Sequence, residues 1–221
     1  MKKITEDEFL DLIKIYKDCI IGYHLIKNEN IYNDLKSHTE AVKFAMEEEI
    51  KDSLENKENA EEMWWKEVSD KLYPWTYDLD KAKAEKISAK YFFSIPDKPW
   101  KHNDHGTSSY DDVYDNGRIP YWYAFLEPPH WASFWHIKIK KDSSWQEYGE
   151  YILEREYNLD DFQKINETLF PNGFENLEIY EWTTDWSNIF DAWHEWWWSA
   201  CRSIYDKSLD RFVVMVVSAT D

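Results

Sequence analysis

The residues best suited to chemistry or recognition lie close together near the end of the chain. Between residues 181 and 198 the sequence contains six of the chain's 14 tryptophans, interspersed with carboxylates. Tryptophan offers a large, stiff apolar surface with one hydrogen-bond donor, so such a cluster forms either a core or a recognition surface. In the second case we expect a partner-binding patch of four tryptophan anchors within an acidic rim, made of Glu181, Trp182, Asp185, Trp186, Asp191, Trp193, Glu195 and Trp197.

The core alternative for the same tryptophans stays open at this point. On a strand, Trp196 and Trp198 would point to one face of a sheet and Trp197 to the other. Helices covering both faces would then bury all three rings, as large aromatic side chains usually are.

Carboxylates beside aromatic residues also occur where enzymes cleave glycosidic bonds, because sugars stack on tryptophan while acids perform the cleavage. The residues with this pattern are Glu127, Glu181, Asp185, Asp191 and Glu195. Acids and aromatics are so abundant here that chance also explains such neighbours. The alternative function is therefore that of a small-molecule or carbohydrate-binding protein, with or without hydrolase activity.

Other chemical signatures are weak in this sequence. It contains no Gly-x-Ser-x-Gly elbow and no glycine-rich phosphate loop, and its five glycines leave little room for such devices. His102, Asp104 and His105 lie within four residues of one another, but they lack the helical His-x3-His spacing of many zinc sites. We therefore predict no catalytic residue, metal or cofactor, although metal binding at this loop is left open.

The charge balance is strongly acidic. Asp and Glu number 44 against 26 Lys and Arg, a formal net charge of −18. Such a surplus repels nucleic acid and anionic membranes and steers basic proteins towards the surface, although it also simply keeps a protein soluble. The acidic start of the chain is unlike a signal peptide, and its apolar runs are far shorter than a membrane helix needs. We expect a cytoplasmic protein with a basic protein partner, of unknown oligomeric state.

Periodicity predicts helices in the first part of the chain and strands in the second. Helices are expected near residues 5–20, 35–54, 63–72, 80–91 and 160–169. Strands are expected at 121–126, 135–139, 177–182 and 196–205, followed by a turn at 206–210 and the apolar run 212–217. That last run is predicted to lie at the centre of a sheet covered on both faces.

The expected fold class is α+β, with a helical N-terminal half packed on a mostly antiparallel β-sheet in the C-terminal half. We divide the chain into a helical subdomain at 1–95, a long polar loop at 96–118 and an α+β subdomain at 119–221, together forming one compact unit. The two cysteines, Cys19 and Cys201, are expected to be buried free thiols.

The second half of the chain contains several short motifs: Phe-Leu-Glu-Pro-Pro at 125–129, Leu-Phe-Pro at 169–171, Glu-Trp-Thr-Thr-Asp-Trp-Ser at 181–187, His-Glu-Trp-Trp at 194–197 and Ser-Ala-Thr-Asp at 218–221. With Asp161-Phe162 they resemble an uncharacterised family of bacterial proteins. The resemblance covers about residues 120–221. It implies a bacterial origin and no particular activity.

Small, acidic, aromatic-rich bacterial proteins are similar, as a class, to the immunity proteins that neutralise secreted toxins. An acidic surface could fill the cationic cleft of a basic nuclease, while aromatic anchors slow dissociation. We therefore expect a non-enzymatic acidic binding protein of this type.

Overall fold

A computed structural model describes residues 1–5, 21–60, 75–95, 120–126, 159–191 and 199–218. Its strands are β1 (Lys2–Lys3), β2 (Ile21–Lys27), β3 (Ala84–Ile87), β4 (Leu177–Trp182), β5 (Ser199–Asp206) and β6 (Arg211–Ser218). Its helices are α1 (Asp34–Ala60), α2 (Ala89–Phe92), α3 (Tyr121–Leu126), α4 (Leu159–Leu169) and α5 (Asn188–Asp191). The fold is α+β, as predicted.

The six strands form one antiparallel sheet in the order β1-β2-β6-β5-β4-β3. Strand β4 confirms the strand predicted from alternation at 177–182, and the β5–β6 hairpin confirms the one predicted around the turn at 206–210, within the described residues. Three of the six strands come from the first 95 residues, so the sheet is not confined to the C-terminal half as expected. The sheet draws strands from both sides of the 96–118 boundary, which itself lies outside the described residues.

Strand β6 lies in the middle of the sheet and is buried on both faces, which confirms its predicted position. Side chains alternate along a strand. Val213, Met215 and Val217 therefore enter one core, while the other core receives Phe212, Val214 and Val216. Strand β6 therefore contributes side chains to two apolar cores, one on each face of the sheet.

The two cores are covered by different helices. The first core packs helices α2, α3 and α4 against the sheet, and the predicted apolar face of α4, formed by Phe162, Ile165 and Leu169, is buried there. The second core lies under α1, whose buried apolar side chains Ala41, Val42, Ala45 and Met46 recur with helical spacing. Helix α1 confirms the helix predicted at 35–54 and is longer at its C-terminal end.

Two predicted elements are wrong in type. Residues 121–126 form helix α3 rather than a strand, and Tyr121, Trp122, Ala124 and Phe125 are buried at the spacing of a helix face. The run is apolar almost throughout, and such a run does not distinguish a buried strand from a short buried helix.

The helix predicted at 80–91 is the other error. Residues 84–87 form strand β3, which pairs with β4, and Ser88 then accepts a hydrogen bond from the backbone N–H of Tyr91 as the N-cap of α2. Pairing with a distant strand decided the conformation here, and local propensity did not. The helices predicted near 5–20 and 63–72 and the strand at 135–139 lie wholly or almost wholly outside the described residues.

Candidate functional site

A chain of polar side chains crosses the second core between α1 and the sheet. His38 on α1 and Ser203 on β5 are both fully buried, and His38 Nδ1 lies 2.8 Å from Ser203 Oγ. The indole Nε1 of Trp182 donates to the same hydroxyl oxygen at 2.9 Å. The Ser203 hydroxyl oxygen therefore accepts from tryptophan and is also hydrogen-bonded to the imidazole.

The chain continues from histidine towards the surface through Tyr32. The hydroxyl of Tyr32 lies 3.2 Å from His38 Nε2 and donates to Oε2 of Glu178 at 3.0 Å. The Tyr32 hydroxyl thus lies between the imidazole and the carboxylate. The polar chain of hydrogen bonds therefore runs without a break from Trp182 to Glu178.

Two lysines neutralise the carboxylate at the outer end of this chain. Lys86 Nζ lies 2.6 Å from Glu178 Oε2, and Lys207 forms an ion pair with Oε1 of the same carboxylate. Burial raises the pKa of Glu178, but the hydrogen bonds from Lys207, Lys86 and Tyr32 outweigh burial and lower it to about 2. Glu178 is therefore a stable anion over the whole physiological range.

Burial also controls the pKa of the histidine. It lowers the pKa of His38 to about 4, although the nearby carboxylates of Glu178 and Asp34 raise it. Burial and the hydrogen bond to Glu178 likewise raise the pKa of Tyr32 above its ordinary value. The imidazole and the phenol are therefore both neutral near pH 7.

The serine, histidine and acid of this chain are the residue types of a hydrolytic triad, but their placement differs from one. A nucleophile must reach a substrate, whereas Ser203 and His38 have no solvent exposure and their hydrogen bonds are already used within the core. This chain of polar side chains instead holds Tyr32 in place, and through Tyr32 it holds the backbone that leads into α1.

The polar chain fixes residues 28–35, a loop together with the first two residues of α1, which we call the Ile31 loop. At its start, Asn28 Nδ2 donates to Asp210 Oδ1 at 2.9 Å, and Asn28 Oδ1 accepts from the backbone N–H of Asn30 at 3.3 Å. At its centre the ring of Tyr32 stacks on Tyr205, with centroids 3.9 Å apart. The loop is thus tied to the β5–β6 hairpin at two points.

The end of the Ile31 loop is fixed as strongly. The backbone N–H of Asn33 donates to Ser37 Oγ at 2.8 Å, and the hydroxyl of Tyr180 donates to Asp34 Oδ1 at 2.7 Å. Asp34 has φ of 39°, a left-handed conformation uncommon for residues other than glycine. Between these fixed points Ile31 extends into solvent, 94% exposed, with Leu35 exposed on the first turn of α1.

The structure places three of the eight predicted patch residues in the core. Trp182 and Trp186 belong to the second core, and Trp186 packs edge-on against Phe190 with centroids 5.2 Å apart. Glu181 is buried on the opposite face of the sheet, where its Oε1 accepts from Arg202 at 3.0 and 2.8 Å. For these three residues the core alternative applies, and they offer no exposed anchor, stacking platform or catalytic carboxylate.

The remaining patch residues have different positions. Asp185 is exposed after β4, and Asp191 is the last residue of α5. Trp193, Glu195 and Trp197 lie outside the described residues, as do the other tryptophans of the 193–198 stretch. Asp185 is therefore the patch residue for which the structure describes an accessible carboxylate.

Side chains of the types that bind metals also lie partly inside and partly outside the described residues. Among the described residues, no group of three or more His, Cys, Asp or Glu side chains is placed to hold a metal ion. His102, Asp104 and His105 lie outside those residues. Cys201 is a free, fully buried thiol as predicted, and burial raises its pKa far above the ordinary value. A thiol that is buried and protonated is chemically inert.

Sequence reasoning missed the polar chain of Tyr32, His38, Glu178 and Ser203. One signal was present, because His38 falls on the same face of α1 as Ala41, Val42 and Ala45, at a position where an apolar residue is expected. Its partners are far away in sequence and have no local pattern that would identify them.

Comparison with known proteins gives no match to a family model, to a curated protein or to a solved structure. Within the described part of the chain, none of the helices has the length and apolar character needed to span a membrane.

Proposed function

We propose that this protein is a non-enzymatic acidic binding protein of the immunity type, which acts in the cytoplasm and neutralises a basic toxin, a nuclease in the first instance. The observation that carries the proposal is the net charge of −18 on a folded α+β chain. A surface this acidic attracts cationic proteins over long distances and repels nucleic acid.

The disposition of the polar core supports a binding role over a catalytic one. The serine and histidine that resemble catalytic residues are sealed in the second core, and the buried Glu181 is occupied by Arg202. Acidic side chains that are exposed to solvent include Asp34 and Glu47 on α1, Asp160 on α4 and Asp185 after β4. Carboxylates on the surface suit electrostatic recognition, whereas chemistry requires them in a cleft.

The test is capture with the purified protein as bait from lysate of its own organism, at about 50 and about 300 mM salt, with the retained proteins identified by mass spectrometry. We expect one basic protein at near-stoichiometric amount, retained better at low salt. A bait in which Asp185, Asp191 and Glu195 are all replaced by lysine carries less negative charge, so it should retain less of that protein at the lower salt while keeping its unfolding midpoint. Retention of no basic protein by the wild-type bait at either salt would overturn the proposal.

A further inference from the structure

We propose that the Ile31 loop is the surface with which this protein contacts its basic partner. This inference rests on the proposed function, and it specifies which face of the molecule performs that function. Because Trp182 and Trp186 are buried, neither can anchor an interface, and among the described residues Ile31 is the large apolar side chain most exposed to solvent.

Ile31 is exposed to an extent that packing does not explain. Its side chain is 94% exposed, while the other large apolar side chains that the structure describes as exposed range from 38 to 46%. Leu35 is one of these and follows four residues later, on the first turn of α1. Single exposed apolar residues are ordinary, but two exposed apolar side chains four residues apart, at the junction of a loop and a helix, can form the apolar centre of an interface.

The rigidity of the loop favours binding. Asn28, Tyr32, Asn33 and Asp34 each form hydrogen bonds within the loop or to the sheet and α1, and the ring of Tyr32 is also stacked on Tyr205. A loop already held in one conformation loses little conformational entropy when a partner binds. The buried chain from Trp182 to Glu178 thereby acquires a role, since it maintains the shape of a contact surface.

The charges around Ile31 indicate the chemistry of the partner. Residues 28–40 contain three carboxylates, Glu29, Asp34 and Glu40, and one lysine, Lys36. Glu29 pairs with the N-terminal amine at 3.4 Å and Asp34 with Lys86 at 3.8 Å, and the two carboxylate side chains remain 50% and 64% exposed. An apolar point beside partly exposed carboxylates, on a protein of net charge −18, complements an apolar depression bordered by lysine or arginine. A basic protein fits this surface, and an acidic protein or a nucleic acid does not.

The experiment begins with photo-crosslinking in the native host. p-Benzoylphenylalanine is introduced in place of Ile31 and, as matched controls, in place of Leu54 and Phe174, which are also exposed apolar residues. We expect a basic protein to be crosslinked at position 31 and not at positions 54 and 174. The crosslinked protein is then purified, and its dissociation constant with each variant is measured by calorimetry.

The decisive comparison is between I31D, I31S and L54D. Because Ile31 makes little contact with the core, I31D and I31S should fold, which circular dichroism and the unfolding midpoint will show. We expect at least tenfold weaker binding for I31D and I31S and less than twofold change for L54D. Unchanged affinity of both Ile31 variants, or crosslinking at the control positions instead, overturns the inference. If the wild-type protein retains its basic partner in the same experiments, the proposed function survives that failure.

Discussion

Glu181 on β4 and Arg202 on β5 lie directly opposite each other and form an ion pair inside the first core, with Arg202 also placed 5.7 Å from the centroid of the Phe92 ring. Both residues are almost completely buried. Removing one charge from such a pair leaves the other in an apolar environment, which is more costly than the pair is worth.

We therefore predict that Glu181→Ala lowers the free energy of unfolding by about 3–5 kcal/mol, measured by urea denaturation. The double variant Glu181→Leu, Arg202→Leu should lose much less than the sum of the two single changes. The matched control is Lys3→Ala, which removes the surface pair with Glu48 at 2.7 Å and should cost less than about 1 kcal/mol. Additive losses in the double variant would contradict the energetic coupling.

Tyr32→Phe tests the polar chain at its central hydroxyl. The variant keeps the ring stacked on Tyr205 but leaves His38 Nε2 and Glu178 without their shared partner. We expect a loss of about 1–3 kcal/mol in the free energy of unfolding, together with faster amide exchange in the Ile31 loop. Tyr77→Phe is the control, because that hydroxyl makes only a long, exposed contact of 3.4 Å with Glu47. Equal effects of the two changes would contradict the role of the chain.

The pKa of His38 predicts how stability depends on pH. Its folded value, about 4, lies below the ordinary 6.5, so the unfolded chain binds the proton more readily. The contribution of neutral His38 to the free energy of unfolding is therefore fully present above pH 6.5 and is lost as the pH decreases towards 4. By pH 5 the loss from this residue is about 2 kcal/mol, and the stabilising ionisation of Glu178 begins to be lost only below about pH 4.5.

The measurement is urea denaturation between pH 7 and pH 5 for the wild type and for His38→Gln. The variant will be less stable at pH 7, and its stability should change less with pH than that of the wild type. Parallel curves for the two proteins would show that His38 is not the source of the dependence.

Elements whose conformation depends on local sequence patterns were predicted correctly, whereas elements that depend on contacts between residues far apart in sequence were not. Strand β4 was predicted from the alternation of its side chains, and the β5–β6 hairpin from a turn sequence followed by an apolar run, all of which are local patterns. Helix α3 and strand β3 were predicted as the wrong type of element. Their conformations depend on contacts with distant elements, which the local density of apolar residues does not reveal. The buried site was beyond local reasoning, because His38 meets Ser203 across 165 residues and Tyr32 meets Glu178 across 146.

The same long separations affect how the protein can be made. Strand β2 pairs along its whole length with β6, which is synthesised about 190 residues later. Strand β3 likewise pairs with β4, which is synthesised after it. During synthesis the early strands therefore expose unpaired edges and apolar side chains, which is the condition under which chains associate wrongly. A newly made chain depends on its last strands to complete the sheet, and its folding will be slow compared with that of a helical protein of equal length.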